Sequence, residues 1–142
     1  MITIDNQIDF DFDTKLIETI ASHLSIHEIE VVLTNNETIC NLNKVHRGKD
    51  YPTDVLSFPL ETPMAHMPLG SIVISIDFAT SQAKEHGHSI DDEIALLFLH
   101  GMLHLLGFDH EKDNGEMASK EEELATFFQL QKTLIQRTKG ED

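Results

Sequence analysis

Ile94-Ala95-Leu96-Leu97-Phe98-Leu99-His100-Gly101-Met102-Leu103-His104-Leu105-Leu106-Gly107-Phe108 is the longest apolar run in the chain. It is too short for a membrane span, which needs about 20 residues, and two histidines interrupt it. The run predicts a buried helix ending at Gly107, capped by Ser89 or Asp91, with Glu93 at roughly the capping-box spacing from Ser89. Upstream, Ser71 to Ile76 alternates serine with Ile and Val and reads as a strand. Asp77 is the expected cap of a helix reaching about Glu85, set off by Gly87. Downstream, Met117, Leu124, Phe127, Phe128, Leu130 and Leu134 predict an amphipathic helix from about Gly115 into the 130s.

Towards the N-terminus the same periodicities continue. Ile2 and Ile4 suggest a short strand. Phe12, Leu16, Ile17, Ile20 and Leu24 recur at helical spacing behind Asp13 or Thr14 as cap, and Ile29 to Thr34 is a second strand. Asn35-Asn36 marks a turn. Ile39, Leu42 and Val45 predict a short helix ending before Gly48. Pro52-Thr53-Asp54 is a turn signal before a strand over Val55 to Phe58, stopped at Pro59, and 61–70 reads as a loop. The order β-α-β-α-β-β-α-α-α implies an α+β fold, a mixed β-sheet packed with helices, forming a single domain over residues 1–142.

Composition narrows the class. The chain has 142 residues, 40% of them hydrophobic, with 4 prolines and 7 glycines, as expected of one globular domain. Its single cysteine, Cys40, rules out an internal disulfide and reads as a small buried hydrophobe. No signal peptide or membrane span is readable, so a cytoplasmic location is expected. The net charge of −15 argues against broad nucleic-acid binding. Yet Lys44, Arg47 and Lys49 fall together, between stretches 16–43 and 50–83 that hold no Lys or Arg, while acids are densest from Asp109 to Glu123.

The chemistry lies in His100-Gly101-Met102-Leu103-His104-Leu105-Leu106-Gly107-Phe108-Asp109-His110. Positions i and i+4 share a helix face, so His100 and His104 point the same way and can share a metal. Gly107 can end the helix and let His110 turn back onto the same ion. Three histidines around one zinc leave a fourth position for water, the arrangement of a catalytic, zincin-like hydrolase whose zinc-bound water can be activated near neutral pH. A bare structural role for the histidines is weaker, because two imidazoles buried in an apolar helix without partners are costly. The spacing matches the metzincin motif HExxHxxGxxH, but Gly101 stands where those proteases carry the glutamate base. Proteolysis is therefore disfavoured, and a glycine there leaves room for substrate or a close backbone approach.

With its flanks, this segment resembles the YbeY family through the signature HGxLHLxGYDH, with Phe108 in place of tyrosine. A second block agrees: Asn43 and Arg47, then Pro52-Thr53-Asp54-Val55-Leu56-Ser57-Phe58-Pro59. Met117 and Glu121 match the family's M-x-x-x-E pattern. The resemblance implies a single-strand-specific metallo-endoribonuclease active in ribosomal RNA maturation, at the 3' end of small-subunit rRNA, and in ribosome quality control. It also implies one Zn2+ on His100, His104 and His110, Arg47 in the substrate cleft, and single-stranded RNA, the ribosome or its associated proteins as partners. Arginine suits that role, since it grips phosphate with two donors. Lys44 and Lys49 are weaker candidates. Asp109 is a candidate to orient a metal-binding histidine by hydrogen bonding to its ring, or to cap a turn. Ser71 departs from the acid that the family usually has after the glycine, and Asp54 and Ser57 are explained adequately by turn and strand roles. No protein general base is evident; zinc-bound hydroxide can act in its place, or the RNA's own 2'-hydroxyl can attack, and the sequence leaves both routes open. His23, His27, His46, His66, His86 and His88 read as ordinary exposed residues. The rivals are a ribosome-associated assembly factor with structural zinc, and a zinc hydrolase of another substrate.

Overall fold

The computed structural model describes residues 2–59, 69–109 and 112–130. Its elements follow the expected order: β1 (Ile2–Asn6), α1 (Lys15–Leu24), β2 (Ile29–Thr34), α2 (Asn36–Arg47), β3 (Val55–Pro59), β4 (Gly70–Ser75), α3 (Ile76–His86), α4 (Ile90–Leu105) and α5 (Glu116–Phe127). The sheet runs β1-β2-β4-β3. β1, β2 and β4 are mutually parallel, and β3 pairs antiparallel with β4, Ser57 opposite Ile72 and Leu56 opposite Val73. β3 is thus an edge strand, with one side of its backbone left without a strand partner among the described residues.

Alternation along the strands divides the sheet's faces. Val31, Leu33, Ile72 and Ile74 face α1, α4 and α5 in the main core, with Ile17, Ile20, Leu96, Leu99 and Leu103. Val73 and Leu56 face the other way, against Ile39 of α2. α4 is buried all round from Glu93 to Leu103 and touches α1, α3, α5, β3 and β4. Each fully buried aliphatic side chain there contributes about 1.5–3 kcal/mol. That reserve allows one helix to carry two imidazoles into the interior. Among the described residues no helix is long and apolar enough to cross a membrane.

Several local expectations are corrected. Ser75, not Asp77, caps α3: its Oγ accepts from the Phe78 amide, while the Asp77 carboxylate accepts from the Asn36 amide. Ile76 is accordingly the first residue of α3 rather than the end of a strand. Asn35, expected in a turn, caps α2 by accepting from the Thr38 amide. Ser89 caps α4 as expected, but Glu93 turns inward to His88, 2.5 Å away, in a pair whose side chains are 0% and 2% exposed. His88 is therefore no ordinary surface residue. Phe12 lies before α1 and packs on the core from outside the helix. Cys40 is half-buried rather than core, 3.8 Å from Asp50. α5 ends at Phe127, Phe128 and Leu130 still pack on the core, and Leu134 and His66 lie outside the described residues.

Candidate active site

α4 projects His100 and His104 from one face, one turn apart, and its C-terminus arranges the rest. Gly107, at φ 100°, takes the left-handed conformation that closes a Schellman turn: its amide donates to the His104 carbonyl and that of Phe108 to the Leu103 carbonyl, both at 3.0 Å. The turn swings the Phe108 carbonyl back, where it accepts from Nδ1 of His104 at 3.1 Å. Nδ1 of His100 meets the Glu121 carboxylate at 2.8 Å, and that carboxylate, from α5, is 1% exposed. With both Nδ1 atoms donating outward, the tautomers are set and both Nε2 atoms present lone pairs to the same point.

The two Nε2 atoms stand 3.2 Å apart. Two imidazoles bound tetrahedrally to one zinc at the usual distance would place their nitrogens about 3.3–3.4 Å apart. Donor type, tautomer and spacing of this pair fit a shared metal. His110 lies outside the described residues, and among those described no group of three or more His, Cys, Asp or Glu is gathered to hold an ion.

The pair opens onto a cleft of about 760 Å3 lined along β3. Its lining includes Arg47 from the last turn of α2, Asp54 to Pro59, and Gly107 to Asp109. Arg47 is exposed, brought to the cleft because α2 stops at Gly48 in a left-handed C-cap, φ 70°. Buried Asn43 fixes the following loop by donating to the Tyr51 carbonyl at 2.9 Å. Lys44 instead pairs with Asp50 at 3.8 Å, and neither it nor Lys49 lines the cleft. His46, expected to be an ordinary surface residue, is exposed but does line it.

Three features go beyond the roles the sequence assigned. Glu121 occurs in a run of three acids that looks solvated, yet it falls four residues after Met117 and three before Leu124, on the buried face of α5. That period was the signal. Asp54 was given only a turn role. It does accept from the Val55 amide, but it also lines the cleft, and burial pushes its carboxyl above the ordinary value while His100 pulls the other way. Ser57 and Gly101 form the third: a Cβ on Gly101 would sit 3.0 Å from Ile72 Cγ2 and 3.1 Å from Ser57 Oγ, and Ser57 donates to the Gly101 carbonyl at 3.2 Å. Of the two roles expected for Gly101, the structure shows close approach of helix to sheet: a side chain there would meet the sheet rather than substrate. Asp109 lines the cleft, has Lys112 at 3.9 Å, and its carbonyl accepts from the amides of Lys112 and Asp113 in a turn. Ser71 lies on the sheet face away from α4 and donates to Glu30 at 2.8 Å. An acid at 71 would meet that carboxylate.

A family model described as Endoribonuclease YbeY matches residues 4–129. The chain belongs to the YbeY family. The endoribonuclease YbeY of Nautilia profundicola is 57% identical over 137 residues, covering 96% of this chain and 98% of the relative. That of Helicobacter pylori is 54% identical over 139 residues, covering 97% and 99%. A solution structure of a Thermotoga maritima protein superposes with a TM-score of 0.59 at 28% identity, over 90% of this chain and 89% of that one. The YbeY family is metal-dependent, in keeping with the donor pair described above.

Proposed function

We propose that this chain hydrolyses phosphodiesters of single-stranded RNA at one zinc ion held by His100, His104 and His110. Its substrate would be ribosomal RNA, at the 3' end of the small-subunit species, during maturation and quality control of the ribosome in the cytoplasm. Family membership supports the reaction class, an endoribonuclease acting in rRNA maturation. The observation that carries the site assignment is the imidazole pair, Nε2 to Nε2 at 3.2 Å, at the wall of a cleft that also holds Arg47.

The chemistry such an ion supplies is Lewis-acid polarisation of a phosphoryl oxygen and a water made nucleophilic near neutral pH. The protein's own groups do the rest. Glu121 and the Phe108 carbonyl hold the two rings so that Nε2 faces the cleft. Arg47 grips the phosphate through two donors and offsets the charge that develops on it. Asp54, a cleft carboxylate whose carboxyl burial holds above its ordinary value, is placed to exchange a proton with the reacting groups. A protease reading loses support, because position 101 is packed against Ile72 and Ser57 rather than open to substrate.

The net charge of −15 favours one second reading, a ribosome-associated assembly factor whose zinc is structural. An assay on single-stranded RNA separates the two. The nuclease reading predicts cleavage that a chelator abolishes, that His110→Ala abolishes, and that Arg47→Glu lowers about a hundredfold or more. Cleavage indifferent to all three would sink the site. Ribosome binding without metal-dependent cleavage would establish the assembly factor instead.

A further inference from the structure

The cleft wall carries an aromatic pair that the metal chemistry does not use. His46 and Phe58 meet at 4.9 Å between ring centroids with planes at 63°, and both line the cleft. They come from two different elements. His46 precedes Arg47 at the end of α2, and Phe58 lies on the free-edge strand β3. Phe58 is anchored from behind by the small core of Ile39, Leu56 and Val73, whereas His46 is exposed. An edge-to-face pair leaves at least one ring face uncovered by its partner. A half-open ring surface therefore lines the same cleft as the guanidinium proposed to hold the phosphate.

We infer that the His46–Phe58 pair is a base-stacking platform, on which an unpaired nucleobase next to the scissile phosphate lies. The inference rests on the reading of this cleft as an RNA site and names how that site selects its substrate. In a duplex both faces of a base are covered by its neighbours, so only a splayed single strand can offer one to a side chain. Charge makes such a contact necessary. Counterion release scales with the phosphates neutralised, and in a chain of net charge −15 whose Lys44 is already paired with Asp50, few cations remain for that task. Stacking supplies affinity that salt does not screen.

The test uses the full chain loaded with zinc and a short single-stranded oligoribonucleotide, together with versions carrying one abasic ribose at successive positions around the cleavage point. His46→Ala is expected to raise KM about tenfold with little change in kcat, at low and high salt alike. His46→Phe and His46→Trp are expected to restore wild-type KM. One abasic position should cost the wild type about tenfold and His46→Ala nothing further. An unchanged KM in His46→Ala, with wild-type cleavage normal, overturns the platform alone. His46→Phe as impaired as His46→Ala overturns it too, in favour of a polar or proton-transfer role. A wild type that cleaves no RNA overturns the reading of the site itself.

Discussion

Glu121→Gln replaces a carboxylate, 1% exposed and 2.8 Å from Nδ1 of His100, by an amide of nearly the same size. The amide oxygen can still accept from Nδ1, so the ring stays oriented. What is lost is the negative charge that makes Nε2 a stronger donor to a cation. Loss of such an outer partner lowers metal affinity about 10–100-fold, or about 1.4–2.7 kcal/mol. Metal-free stability should fall less in Glu121→Gln than in Glu121→Ala, because the Nδ1 hydrogen keeps an acceptor. Glu121→Ala, by contrast, strands the Nδ1 hydrogen in the interior and costs a further 1–3 kcal/mol or so without any metal. Competition with a chromophoric chelator gives the zinc affinity, and urea denaturation of the stripped protein gives the stability. Exposed Glu122→Gln is the control. An affinity for Glu121→Gln within about twofold of wild type, or an equal loss from Glu122→Gln, would refute the proposal that Glu121 tunes a metal ligand.

Further outcomes follow from the same geometry. Gly101→Ala gains about 1 kcal/mol of helix propensity but forces a methyl against Ile72 and Ser57, an overpacking cost of about 1–3 kcal/mol. Chemical denaturation should therefore show a net loss, and a stabilised Gly101→Ala would contradict the close packing of α4 on the sheet. Asp54 titrates above its ordinary 3.8 in the folded chain, chiefly through burial. Its contribution to stability is present below the unfolded value and lost as pH rises through the folded one. Metal-free Asp54→Asn should accordingly exceed wild type in stability at pH 7, by a margin that shrinks as pH falls towards 4. A margin that does not change with pH would refute burial as the cause.

The element order was legible because each segment keeps one period, 2 in Ser71 to Ser75 and 3.6 in α1 and α2. The histidine pair was legible for the same reason, since i and i+4 on a helix fix direction without knowledge of the fold. Ser75 and Asp77 show where local rules stop. Either can cap a helix, and the choice falls to a tertiary contact: Ser75 Oγ donates to Asn36 Oδ1 at 2.7 Å while Asp77 takes the Asn36 amide. His88 reads as an exposed residue and Glu93 as a capping-box partner, because only the fold buries the two together. Asp54 and His46 acquire their place in the cleft from β3 being an edge strand, and no sequence period reports which strand is last in a sheet.

Zinc titrated into metal-stripped chain, with bound zinc and the rate of single-stranded RNA cleavage followed together, tests the central claim most directly. The rate should climb in proportion to bound zinc and level off at one ion per chain, and His100→Ala/His104→Ala should neither retain that ion nor cleave. Undiminished cleavage by the stripped chain, or one tightly held zinc in the double variant, would contradict it.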